Sequence, residues 1–200
     1  MRQSVVIAVL PFVVASALAL SACSSDEPEA AATPTPTGFS AAEWADAVCT
    51  SYGDLVTDLG SVTDGLSVEL STGDALDQVT TQLRANVADV GMSMNDLVSA
   101  IAEAPDTEEA QALRDTLQSG VTEVTSATQQ VNDAARRAAD ASTAMEFVAA
   151  AGTTLTATST AVSAARAFGT DASSAASGAG DALRSAFADT ESCRALSDAQ

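Results

Sequence analysis

Residues 74–101 read DALDQVTTQLRANVADVGMSMNDLVSAI, and their apolar spacing decides the fold. Leu76, Val79, Leu83, Val87, Val90, Met94, Leu97 and Ile101 recur at steps of three and four, which places them on one face of a helix. Asp74 stands where an N-cap belongs, and Pro105 cannot continue a helix. The spacing therefore predicts a rod of about thirty residues, roughly 45 Å long at 1.5 Å rise per residue. A stripe that long needs partner helices to cover it.

Both flanks supply them. Upstream, Ser40-Ala41-Ala42-Glu43 is a capping box with Phe39 at the staple position, followed by Trp44, Val48, Tyr52, Leu55 and Leu59 on one face. Gly60 is expected to end this helix, and residues 60–73, with Val62, Leu66, Val68 and Leu70, to fold as an apolar loop over one end. Downstream, Asp106-Thr107-Glu108-Glu109 opens a third helix with an acid at the cap, and Leu113, Leu117, Val121, Val124, Val131 and Ala135 mark its stripe. A turn is placed at residues 138–142.

The fourth segment is expected to bury Val148, Leu155, Val162 and Phe168, with Ala144, Ala151, Thr158 and Ala165 allowing close approach. Gly169-Thr170-Asp171 looks like a break before a fifth segment carrying Ala172, Ala176, Ala179, Leu183, Phe187 and Cys193. Whether the chain after residue 140 makes one long helix or two is left open. No stretch alternates apolar and polar residues long enough for a sheet. Residues 39–200 are therefore expected to be all-α, an elongated antiparallel bundle of four or five helices closed by one disulfide.

Composition narrows the chemistry. The 200 residues carry 27 acids against 8 bases, a formal charge of −19, with no histidine and no lysine. Serine–histidine, cysteine–histidine and histidine–metal sites cannot be built, nor can a P-loop or a Schiff-base lysine. Nucleic acid is excluded as a partner on charge grounds, because that affinity comes from Lys/Arg–phosphate contacts. The chain has 44 alanines, so its high apolar fraction overstates the area it can bury.

At the N-terminus, Arg2 precedes an apolar run from Val5 to Leu20, and then come Leu20-Ser21-Ala22-Cys23. This order of charge, apolar run and small residues before a cysteine resembles the lipobox of bacterial lipoproteins. The resemblance implies cleavage after residue 22, a diacylglycerol on Cys23, and a position on the extracytoplasmic face of the membrane. Residues 1–22 would be the signal peptide, and residues 23–38 the acylated cysteine with a Pro/Thr/acidic tether too polar to bury anything. Thr33, Thr35 and Thr37 in that tether are candidate O-glycosylation sites. The absence of lysine and the abundance of Ala, Thr, Asp and Arg resemble an actinobacterial surface lipoprotein.

With Cys23 taken by lipid, Cys49 and Cys193 remain, and outside the cytoplasm such a pair forms a bridge. No histidine or lysine is present to lower a thiol pKa, so the bridge is structural.

No catalytic set emerges. Asp77, Asp89, Asp96, Glu103, Asp115 and Glu123 fall at exposed helical phases, as solvated carboxylates do. Calcium is the one metal whose oxygen ligands are available, and Asp58, Asp64 and Glu69 are its densest candidates, but they match no EF-hand spacing. Arg136-Arg137 is expected to pair locally with Asp133 or Asp140. Trp44 is expected to pack in the core near Cys49. No metal and no cofactor is implied. The expected function is a non-enzymatic, lipid-anchored bundle that presents a surface to an envelope protein. The alternative is a small-ligand carrier or sensor with an alanine-lined cavity.

Overall fold

Local capping chemistry starts the helices. In the computed structural model, which describes residues 39–66 and 73–198, six helices form: α1 (Ala41–Leu66), α2 (Gly73–Ala102), α3 (Glu108–Ala139), α4 (Ala144–Gly178), α5 (Asp181–Asp189) and α6 (Glu191–Asp198). The expected signal peptide, Cys23, the threonines of the expected tether, Val68, Glu69 and Leu70 lie outside the described residues, as do the side chains of Asp74 and Leu76.

At the start of α1, Glu43 accepts from the Ser40 amide at 2.8 Å and from its hydroxyl at 2.7 Å, while the Glu43 amide donates to Ser40 Oγ at 3.3 Å. The same device opens α4. There the Glu146 amide donates to Thr143 Oγ1 at 3.3 Å, and the Glu146 carboxylate accepts from the amides of Ser142 and Thr143 at 3.0 and 3.2 Å. These hydrogen bonds hold both carboxyls below the ordinary glutamate range. The cap of α3 is Thr107 rather than Asp106, its hydroxyl accepting from the Ala110 amide at 3.2 Å.

Three expected boundaries move. Gly60 does not end α1, which continues to Leu66 and places Val62 in the core at 0% exposure. A glycine inside a helix costs about 1 kcal/mol, which burial of a valine outweighs. Of the loop expected over residues 60–73, residues 60–66 are helical and residues 67–72 lie outside the described residues, and α2 begins at Gly73, one residue before its expected cap Asp74. Gly169 does not break α4 either, which runs unbroken for 35 residues. The break comes at Ala179 and Gly180, so the expected fifth segment divides into the end of α4 and the short helices α5 and α6.

The first four helices run antiparallel. Trp44 near the start of α1 donates its indole N–H to Ala100 O near the end of α2 at 2.9 Å, and Asn86 of α2 donates to Ser61 O of α1 at 2.6 Å. Arg84 of α2 donates to Ala139 O at the end of α3, and Tyr52 of α1 donates to Ala165 O of α4 at 3.0 Å. One core runs through the bundle, with Trp44, Leu55, Leu59, Leu83, Leu97, Ile101 and Phe147 fully buried.

The buried face of α4 keeps Phe168, Thr158 and Ala165 as expected and otherwise differs from the expected one. Val148 and Leu155 are 56% and 40% exposed, and the inward positions are Phe147, Thr154, Thr158, Ala161, Ala165 and Phe168. Most of these are small, and the α3–α4 interface is the most extensive in the molecule. Thr154 and Thr158 tolerate burial because each hydroxyl donates to a carbonyl four residues back, at 3.0 and 2.9 Å. The α1–α4 seam is the sparsest of the four around the bundle, and α5 and α6 pack on α1 beside it.

Two consequences are measurable. A Cβ on Gly60 would meet nothing within 4 Å, whereas one on Gly169 would stand 2.6 Å from Tyr52 Oη. In chemical denaturation, Gly60→Ala should stabilise by about 0.5–1 kcal/mol, while Gly169→Ala should destabilise by about 1–3 kcal/mol by displacing the tyrosine. The capping glutamates give a pH dependence. Their lowered pKa values contribute stability that is complete above the ordinary value of 4.5 and is lost as pH falls through the lowered values. Melting of the Glu43→Gln/Glu146→Gln variant, which keeps an acceptor at both caps, should therefore show a shallower acid limb than the parent.

Candidate functional site

The end of the bundle where α5 and α6 meet α1 is built around one covalent bond. Cys49 of α1 and Cys193 of α6 form a disulfide with a Cα–Cα distance of 5.1 Å across 144 positions. A satellite cluster of Ala45, Ala186 and Cys193 packs beneath it, with Ala41, Cys49 and Phe187 at its edge. Trp44 is fully buried next to this cluster, where Phe187 meets it edge-on at 5.7 Å. The tryptophan thus packs against the disulfide end, as its place in the sequence implied.

Beside the bond lies a partly open cleft of about 560 Å³. Val48, Tyr52, Phe168 and Ala176 form a buried apolar floor, and Phe187 and Leu196 are half-buried walls. Tyr52 is tilted against Phe168 at 5.8 Å. Burial raises the phenol pKa above its ordinary value, against the opposing pull of Arg166. The exposed rim carries Thr170, Ser173, Ser177, Arg184 and Arg194, and no carboxylate lines the cleft among the described residues. Gly169 is what lets α4 approach Tyr52 here, so the residue that looked like a helix break is a close-packing position.

A second, shallower groove between α1 and α2 is acidic, with Asp54, Asp58, Asp89 and Asp96 beside Thr57, Met92 and Ser93. Asp58 accepts a short hydrogen bond from Ser93. Of the calcium candidates only Asp58 lies in this groove, and among the described residues no three potential ligands converge as a metal site requires. Asp77, Asp89, Asp96, Glu103, Asp115 and Glu123 are all exposed, as their helical phase implied.

The local pairing expected for Arg136 and Arg137 is replaced by a longer-range one. Asp140 lies 3.8 Å from Arg84 of α2, and the two arginines occupy the last turn of α3, where the helix dipole favours cations. Among the described residues, no helix is long and apolar enough to cross a membrane. No family model, curated protein or solved structure matches the chain.

The cleft and its arginine rim were missed from sequence because their residues come from four separate helices. Helical spacing identifies Phe168, Ala172 and Ala176 of the cleft only as packing positions. Arg184 and Arg194 stand ten positions apart, on different short helices, and form no motif.

The bridge closes a loop of nearly the whole domain, for which chain entropy sets an upper contribution of about 5 kcal/mol. Thiol counting on the denatured, unreduced Cys23→Ala chain should find no free thiol. Cys49→Ser/Cys193→Ser should lower the unfolding free energy by about 2–5 kcal/mol, in the range of other native bridges. Two reactive thiols in the parent protein would contradict the assignment.

Proposed function

We propose that this protein is a non-enzymatic lipoprotein. It is anchored through an acylated Cys23 on the extracytoplasmic face of a membrane, and it presents its bundle to a protein of the cell envelope. What carries the proposal is an apolar stripe left uncovered on α4. Met145, Val148 and Leu155 are 83%, 56% and 40% exposed, on the flank of α4 that continues toward the cleft. With Gly152 between them, they keep the three-and-four spacing by which a helix meets another helix, and the half-buried Val162 lies two turns further on the same flank. A contiguous exposed apolar strip of this kind marks an interaction surface.

The chemistry of the partner follows from the surroundings. A chain with a formal charge of −19 favours an apolar groove rimmed by Lys and Arg on the other side. A disulfide is at home in an oxidising compartment, which supports the extracytoplasmic placement. The lipobox resemblance at Leu20-Ser21-Ala22-Cys23 supports the anchor.

A second proposal, a carrier or sensor of a small ligand, is favoured by the cleft at the disulfide end. The bundle axis does not favour it, because Leu55, Leu59, Leu83 and Leu97 fill that axis.

Fractionation and crosslinking on intact cells test the first proposal together. Cys23→Ala should move the protein from membranes to the soluble fraction, and retention would rule out the anchor. Val148→Glu/Leu155→Glu, both at exposed positions, should lose the crosslinked partner without losing the fold. Undiminished capture by that variant would rule out the stripe as the docking surface.

A further inference from the structure

We infer that the cleft beside Cys49–Cys193 binds a free amphiphile with one apolar tail or ring system and a single anionic head. The inference rests on the carrier proposal and supplies its ligand chemistry.

Charge distribution is the first observation. The chain has 27 acids and 8 bases, yet the cleft is lined by Arg184 and Arg194 and by no carboxylate among the described residues. Arg166 stands near enough to Tyr52 to influence its phenol, adding a third guanidinium at this end. In a solution of physiological ionic strength the Debye length is about 8 Å, so acids elsewhere on the bundle are largely screened from the cleft, while Asp181 stands at its rim in contact with Arg184.

The second observation is donor availability. Arg184 is engaged by Asp181 within its own helix, but the Arg194 side chain makes no ion pair or hydrogen bond among the described residues. A guanidinium has five N–H donors in a planar fork, which suits a carboxylate, sulfonate or phosphate. The hydroxyls of Thr170 and Ser177 donate to carbonyls of α4 itself, at 3.0 and 2.8 Å. Tyr52 likewise donates to Ala165 O. The arginines are therefore the charged donors offered to a ligand.

The third observation is the floor. Val48, Phe168 and Ala176 are buried, and Phe187 and Leu196 are half-buried beside them, giving an apolar bed next to the cationic rim. A volume of about 560 Å³ lies in the range of small-molecule sites, about 300–1,000 Å³. An apolar body with one acidic end satisfies both halves of the cleft. A cation would meet the arginines, and a neutral hydrocarbon would leave them unanswered.

Trp44 provides the reporter, since it is the only tryptophan in the chain and touches the cleft wall through Phe187. The intact, disulfide-bonded chain carrying Cys23→Ala, which has no acyl group to compete, is titrated below micellar concentrations with laurate, dodecanol and dodecyltrimethylammonium. Laurate should change Trp44 emission saturably. Arg184→Glu/Arg194→Glu should weaken laurate by about tenfold or more, and Ser173→Phe should abolish the response. All three positions are exposed, and the Arg184–Asp181 pair that the arginine variant loses is an exposed one, so the melting temperature should change little. Equal binding of the neutral or cationic amphiphile, with no effect of the arginine variant, would overturn the anionic assignment while leaving a carrier intact. No response to any amphiphile would overturn both. Arginine-dependent sedimentation with phosphatidylglycerol vesicles, in place of laurate binding, would assign the arginines to bilayer headgroups and overturn the free-ligand inference.

Discussion

Alanine sets the terms on which this bundle holds together. An alanine buries a single methyl group, so a core rich in it gains little per residue unless the backbones come close enough to share dispersion contacts. The α3–α4 interface is the most extensive in the molecule, and the buried residues of the two helices are mostly small, among them Ala127, Ala134, Ala135 and Ala138 of α3 and Thr154, Thr158, Ala161 and Ala165 of α4. Close approach there leaves less contact elsewhere, and α1 and α4 meet only sparsely. The tail of the chain fills part of that gap as α5 and α6, and the disulfide fixes them to α1. The cleft is what remains unfilled.

The buried polar groups follow the same logic. Asn86 is satisfied by Gln82 and by Ser61 O, and the inward threonines of α4 satisfy themselves along their own helix. Among the described residues Thr128 is the exception, its buried hydroxyl having no partner. A small core that carries one such group sacrifices some stability at that position. The bond between Cys49 and Cys193 matters more in a molecule with so thin a margin.

Much of the architecture was legible in residues 39–139, because valine, leucine and isoleucine there recur with helical period. Val79, Leu83, Val87, Val90, Met94, Leu97 and Ile101 are all buried as their spacing implied. Legibility failed in α4, where alanine and threonine are the buried residues and the larger Val148 and Leu155 point outward. Hydrophobic periodicity assumes that the bulkiest residues face in, and a helix packed for closeness breaks that assumption. Glycine misled twice for a related reason. Gly60 is carried by the burial of Val62 beyond it, and Gly169 is present to admit Tyr52. A readable signal at the α3–α4 turn is Thr143-Ala144-Met145-Glu146, a second capping box of the same kind as Ser40-Ala41-Ala42-Glu43. The cleft had no local signal, since only the tertiary fold brings α1, α4, α5 and α6 together.

The disulfide also determines how the molecule bears mechanical load. It joins α1 to α6 close to both ends of the domain, so tension between the chain's two termini passes directly through the sulfur–sulfur bond. Only the residues before Cys49 and after Cys193 lie in the path of that force. The helices between them are short-circuited and keep their packing, whatever pull the termini feel. A domain with a thin alanine core is thereby shielded from stretching along its own chain, and a reductant would remove that shield in one step.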